Sequence, residues 1–231
     1  MSRFVRVGLF VIGLGLVISL FSVTDAKGQI LTEILRRMDL NNKSLQSLHS
    51  DVTMVKYNPQ LNVSDTTVGN TSYLPKTPKH PMYARIDWTK PVEEQISVIG
   101  DKYELYRPRL NQVIVGSSKN AKNGAAAGGA LGFMSMSKDQ LKTNYDVAYL
   151  GEEQISGGTK TWHLQLTPKG ATSYKMAEIW IDGDGMPRQA KIIETNNDTT
   201  TVLLSNIQKN ITLQASIFKL SYPSSVKKIK A

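Results

Sequence analysis

His49, His80 and His163 are the 3 histidines of the chain, and no two of them stand at a spacing that would hold a metal. Each reads as a surface or rim residue, His163 on the polar side of its segment. Cysteine is absent, which removes thiol nucleophiles, disulfide frameworks and cysteine-ligated zinc or iron–sulfur centres together. No serine sits in a Gly-x-Ser-x-Gly elbow. Gly124, Gly128 and Gly129 are not followed by Lys-Ser or Lys-Thr, so no phosphate-cradling loop is present. Asp182-Gly183-Asp184-Gly185 resembles the start of a calcium loop, but the position that would need glutamate is Ile193, and the segment reads as a tight hairpin turn. Glu93-Glu94 and Glu152-Glu153 are paired carboxylates only in sequence, because adjacent strand residues point to opposite faces. Enzyme chemistry has no local support, and neither a cofactor nor a metal is implied.

What positions these residues is a chain of 231 residues, 40% apolar and 20% charged, with a net charge of +9. Such a composition folds around a core, and one large β domain is the default. Arg3 and Arg6 precede an uncharged apolar run from Val7 to Val23. That is the layout of a secretory signal peptide, with cleavage expected after Ala26. The competing reading is an uncleaved inner-membrane anchor over residues 7–23, about the shortest length that spans a bilayer. Either puts the folded part, residues 27–231, in the periplasm as a single domain. Cleavage removes two basic residues and one acidic, taking the net charge from +9 to +8. The basic residues are scattered (Lys43, Lys56, Lys76, Lys79, Lys90, Lys102), which argues against nucleic acid as a partner.

Gln29 to Leu48 carries Ile30, Ile34 and Met38 with Leu31 and Leu35 beside them, the stripe of an amphipathic helix. Asn41-Asn42 weakens it, and Leu45 and Leu48 continue the stripe after a bend. Beyond that the period becomes two. Met82, Ala84, Ile86 and Trp88 alternate with Arg85 and Asp87; Trp162, Leu164 and Leu166 alternate with His163 and Gln165. Similar alternation runs through Tyr145–Tyr149, Glu178–Asp182 and Thr201–Ser205. Turn signals at Gly100-Asp101, Ser156-Gly157-Gly158, Asp182–Gly185 and Asn196–Asp198 separate about ten strands. The fold expected is mainly β: one strongly curved antiparallel sheet with an N-terminal helix. Between Gly116 and Asn144 lies a Gly/Ala-rich stretch (124–130), then the methionine-rich Leu131–Met136, then a helix start capped by Ser137 with Gln140 three residues on. So long a loop inside a domain is usually functional or disordered.

Several segments resemble one family. Gly69–Pro78 followed by Arg85–Pro91, Ile99–Pro108, Leu164–Lys169, Ile179–Asp182 with Gly185–Pro187, and Phe218–Pro223 as a closing strand are similar, in order and spacing, to the periplasmic outer-membrane lipoprotein carriers, the LolA-like proteins. The matches run from about Gln29 to Lys230. The resemblance implies an incomplete antiparallel β-barrel with an N-terminal helix and a loop or helix lid over its open concave face. It implies a monomeric, non-enzymatic carrier that binds lipoprotein acyl chains in an apolar cavity and moves them from the inner toward the outer membrane. An inner-membrane lipoprotein-releasing transporter and an outer-membrane receptor would be its partners. Cavity and lid positions follow as Ile30, Ile34, Met38, Tyr83, Trp88, Ile96, Val98, Tyr103, Val113, Val115, Leu131, Phe133, Met134 and Met136. For each the alternative is an ordinary core position; Phe133 to Met136 stand apart because they lie in a loop. The family's latch arginine is replaced by Thr77, with Lys76 beside it, a point charge without the planar fork. A stress-sensor domain shares the fold, so a membrane-tethered sensor or assembly module, or a periplasmic lipid-binding protein, is the alternative function. If the loop is a lid, Phe133→Asp is expected to weaken acyl binding without unfolding the chain, measured by titration with a fluorescent fatty acid; unchanged affinity counts against a lid.

Overall fold

The computed structural model describes residues 22–117, 132 and 136–231; the 124–130 stretch, Leu131, Phe133 and Met134 lie outside the described residues. The chain opens with helix α1 (Ser22–Ser44). Six strands follow: β1 (Leu48–Asn58), β2 (Val63–Leu74), β3 (Tyr83–Lys90), β4 (Glu94–Ile99), β5 (Lys102–Arg107) and β6 (Gln112–Ser117). A short helix, α2 (Lys138–Asn144), leads into β7 (Tyr145–Gln154), β8 (Lys160–Pro168), β9 (Tyr174–Asp182), β10 (Pro187–Glu194) and β11 (Thr199–Lys209). Strand β12 (Lys227–Lys230) ends it. Among the described residues twelve strands are present where about ten were expected, all in one sheet ordered β12-β6-β5-β4-β3-β2-β1-β11-β10-β9-β8-β7. Strands β7 and β12 are its two edges, so the barrel is not closed.

The α1 boundaries differ from the sequence expectation at both ends. The helix continues N-terminally across Ala26, and stops at Ser44, where the Ser44 hydroxyl bonds back to the Asn41 carbonyl at 3.0 Å. Leu45 falls in the connection and Leu48 opens β1. Short polar side chains compete for backbone groups and end helices, which is the physical meaning of the Asn-Asn-Lys-Ser run. The α2 cap matches the expectation: the Gln140 amide donates to the Ser137 hydroxyl at 3.2 Å, and the Gln140 side chain accepts from the Ser137 amide at 2.9 Å.

Among the described strands all pairings are antiparallel except β12 on β6. The exception has a topological cause. After β11 the chain crosses the outer face of the sheet and must return to the far edge, a long crossover that permits parallel pairing. The segment expected as a closing strand, Phe218–Pro223, is instead the crossover itself, opening with a 3₁₀ turn at Ala215–Phe218. Phe218 is fully buried there against Tyr83, ring centroids 5.3 Å apart, and its carbonyl accepts from the Ser97 hydroxyl. Arg85 donates to the Ile217 carbonyl in the same patch.

On the inner face, Ile34, Leu35 and Met38 of α1 are each 1% exposed and join one core with Val52, Met54, Leu164, Leu166, Ile179, Ala190 and Val202. The β9–β10 turn holds the helix in place. Gly185, at φ +84°, lies so close to α1 that a Cβ there would sit 2.3 Å from the Arg37 carbonyl carbon. Arg37 donates to the Gly183 carbonyl at 2.8 Å, and Asn41 contacts the Met186 sulfur at 3.4 Å. Asp182 builds this turn: its Oδ1 accepts from the Asp184 and Met186 amides, and its Oδ2 from Arg188. These oxygens are committed to the hairpin, which accounts for the Asp-Gly-Asp-Gly motif. Gly185→Ala is expected to cost about 2 kcal/mol or more, from left-handed strain plus the clash with α1; thermal unfolding monitored by circular dichroism measures it.

Candidate functional site

Strand register decides which side chains face the interior. Ile86 and Trp88, 7% and 5% exposed, belong to the core under α1, so their face is the inner one. Ile86 opposes Ile96, and Ala84 opposes Val98. Ile96 in turn opposes Leu105, Val98 opposes Tyr103, and these oppose Ile114 and Gly116. The inner rows of β3–β6 are therefore Ala84, Ile86, Trp88; Ile96, Val98; Tyr103, Leu105; Ile114, Gly116. Gly116 leaves room for the Tyr103 ring, which a Cβ would meet at 2.5 Å.

Side-chain alternation then puts Tyr83, Val113 and Val115 on the outer face, contrary to the cavity role expected of them. Tyr83 packs on Phe218 instead. Val113, fully buried, opposes Tyr106, whose ring lies 5.5 Å from that of Tyr222 in the C-terminal crossover. Sequence reasoning missed Leu105 and Ile114. Leu105 was accessible through the alternation Tyr103-Glu104-Leu105; Ile114 was not, because Val113-Ile114-Val115 is apolar throughout and carries no parity signal. Among the other expected positions, Ile34 and Met38 are core, Ile30 is 39% exposed, and Met136 is partly buried against the core. The Met136 carbonyl accepts from Asn42 of α1 at 3.0 Å.

The inner face is filled unequally. Beneath α1, Leu164, Leu166, Ala177, Ile179, Ile181, Ala190 and Val202 are completely buried. Across β4–β6, Ile96, Val98, Tyr103, Leu105 and Ile114 are only half-buried. This second half is an apolar trough. At one end it carries an ion pair, Arg107 to Glu94 at 3.1 Å. Its other end runs toward the β2–β3 loop, where Thr77 bridges to His80 through a 3.0 Å backbone bond and Lys76 is exposed.

Burial raises the pKa of Tyr73, whose side chain packs against the core from the inner row of β2. Burial also raises that of Tyr174, reinforced by a 2.6 Å hydroxyl contact with Tyr145. His163 is more covered than a rim residue: on the outer face it stacks on Trp180 at 4.2 Å and contacts Glu153 at 3.0 Å. On α1, hydrogen bonds from Arg36 first and Arg37 second hold the Glu33 carboxyl down at about 2.

A curved, open, helix-roofed β-sheet with a half-covered apolar inner face defines the class of this protein. The model of the family described as outer membrane lipoprotein carrier protein LolA matches residues 77–221, and the chain belongs to that family. An outer-membrane lipoprotein carrier protein of Haemophilus ducreyi (strain 35000HP) is 29% identical over 149 residues, covering 64% of this chain and 64% of the relative's length. An uncharacterized conserved protein from Thermus thermophilus shares the fold with a TM-score of 0.55 at 13% identity, over 88% of this chain and 100% of that one. The crystal structure of MucB shares it with a TM-score of 0.52 at 12% identity, over 84% and 63% of the respective chains. Among the described residues, no helix is long and apolar enough to cross a membrane.

Glu33 tethers Arg37, which in turn donates to Gly183 and lies over the Trp162 ring at 5.2 Å. Because its folded pKa is depressed, its contribution is present above the ordinary value of 4.5 and lost as pH falls toward 2. Acid titration followed by carboxyl NMR is expected to place its midpoint near 2, and Glu33→Gln to flatten the stability profile between those values.

Proposed function

We propose that the chain is a periplasmic, non-enzymatic carrier that holds the acyl chains of lipoproteins on the half-covered inner face and moves them from the inner toward the outer membrane. An inner-membrane lipoprotein-releasing transporter is its donor and an outer-membrane receptor its acceptor. Membership of the carrier family supports this reading. The observation that carries it is the row of half-buried apolar side chains across β4–β6, unlike the sealed half under α1. Burial of one methylene contributes about 0.8 kcal/mol, so a sixteen-carbon chain represents on the order of 12 kcal/mol. A carrier must offer comparable apolar contact or the chain will not leave its membrane on a useful timescale. Ile96, Val98, Tyr103, Leu105 and Ile114 offer it without first being dug out of a packed core. Residues 1–26 are a cleaved signal peptide in this reading, and residues 27–231 the carrier domain.

Mass spectrometry of lipid co-purified with the periplasmic protein is the direct test. Acylated peptide supports the carrier; bare phospholipid points to lipid transfer; an empty protein favours a tethered interaction module. Val98→Asp is expected to weaken binding of a fluorescent acyl probe at least ten-fold. Val115→Asp, on the opposite face, is expected to leave it unchanged.

A further inference from the structure

A cleft of about 560 Å³ opens where the end of α1 and the α1–β1 connection face the β2–β3 loop. Its volume is in the range of a ligand site, about 300–1,000 Å³. Lys43 and Lys76 line it together with His80 and the amide side chains of Asn42 and Gln46, and among the described residues no carboxylate does. Leu45, which lines it, also packs against the core. Lys76 is exposed and has no ion pair among the described residues. Lys43 pairs with Asp39 at 2.7 Å, with its own side chain 72% exposed. The Lys43 ammonium has three N–H donors and stays open to solvent, so an incoming carboxylate can share it with Asp39.

The opposite end of the sheet has the reverse charge. A cleft of about 300 Å³ between the β1–β2 and β10–β11 turns is lined by Asp65, Glu194 and Asp198 against Lys56 alone. It lies about ten residues away along β2, roughly 33 Å. An acylated ligand lying in the trough must send its polar part out at one end: the β2–β3 end offers two ammonium groups, while at the other Arg107 and Glu94 neutralise each other.

We infer that the cleft at the end of α1 receives the polypeptide of the bound lipoprotein next to its acylated residue, and that it favours acidic side chains there. The inference rests on the carrier reading. Amide side chains beside point-charge ammonium groups suit a peptide with carboxylates. A phosphate headgroup would instead call for a planar guanidinium fork, and among the described residues no arginine lines the cleft.

The test uses diacylated cysteinyl hexapeptides carrying two Asp or two Asn after the cysteine, titrated against the mature protein in low salt. The wild type is expected to bind the Asp peptide about five-fold more tightly, the effect of two exposed charge pairs. In Lys43→Ala/Lys76→Ala this ratio is expected to fall to about one with the Asn peptide bound as before. Lys160→Ala/Lys227→Ala, which removes the same charge elsewhere, is expected to keep the five-fold ratio. Equal binding of the two peptides by the wild type, or an equal loss in both double variants, overturns the cleft assignment and leaves the carrier reading standing. A Lys43- and Lys76-dependent preference for phosphatidylglycerol over the Asp peptide also overturns it, in favour of a phosphate site. Failure of the wild type to bind either peptide overturns both readings.

Discussion

One helix cannot cover twelve strands. Helix α1, 23 residues long, extends about 34 Å and is about 10 Å across. Twelve strands at roughly 4.8 Å spacing would spread over some 50 Å if laid flat. Curvature reduces the mismatch without removing it. The helix therefore seals the half of the inner face built from β7–β11 and β1, where Ile34, Leu35 and Met38 meet completely buried sheet residues. Across β4–β6 the apolar rows stay half-buried. Both a stable core and a greasy, reachable surface come from this one geometric shortfall.

The placement of α1 is set by contacts far apart in sequence. The Asp182–Met186 turn lies against the helix backbone at Gly185, and Arg37 bonds to Gly183. Removing a side chain from position 185 allows this approach, and the positive φ of the turn favours the same residue. On the other side of the sheet the crossover after β11 braces β3 and β4 through Phe218, Ser97 and Arg85. The trough wall is thus supported from outside, so its inner side chains are not needed to hold it up.

Much of this was legible in sequence because hydrophobic period and turn chemistry are local. Ala84, Ile86 and Trp88 declared their common face, and the Asp-Gly turn and the Ser137 cap fell where expected. What could not be read was parity in uniformly apolar segments: Val113-Ile114-Val115 gives no sign of which residue looks inward, and two of the three were assigned to the wrong face. Tyr83 failed for another reason. An outer face is expected to be polar, but here the C-terminal crossover covers it and makes it a second small core. The pairing of β12 with β6 was equally invisible, since Lys227–Lys230 has no alternation of its own. The resemblance to the family implied a hollow, which periodicity alone could only allow.

Because β7 and β12 never meet, the sheet is a hoop with a break in it. A sealed barrel has a girth fixed by its strand number and stagger, and widening it means tearing a ladder. A split hoop dilates by spreading its free ends, and the twist between neighbouring strands absorbs the strain while every inter-strand bond stays made. Under the carrier proposal, cargo of different bulk is gripped by the same rows of side chains, with elasticity of the backbone taking the place of a bespoke cavity.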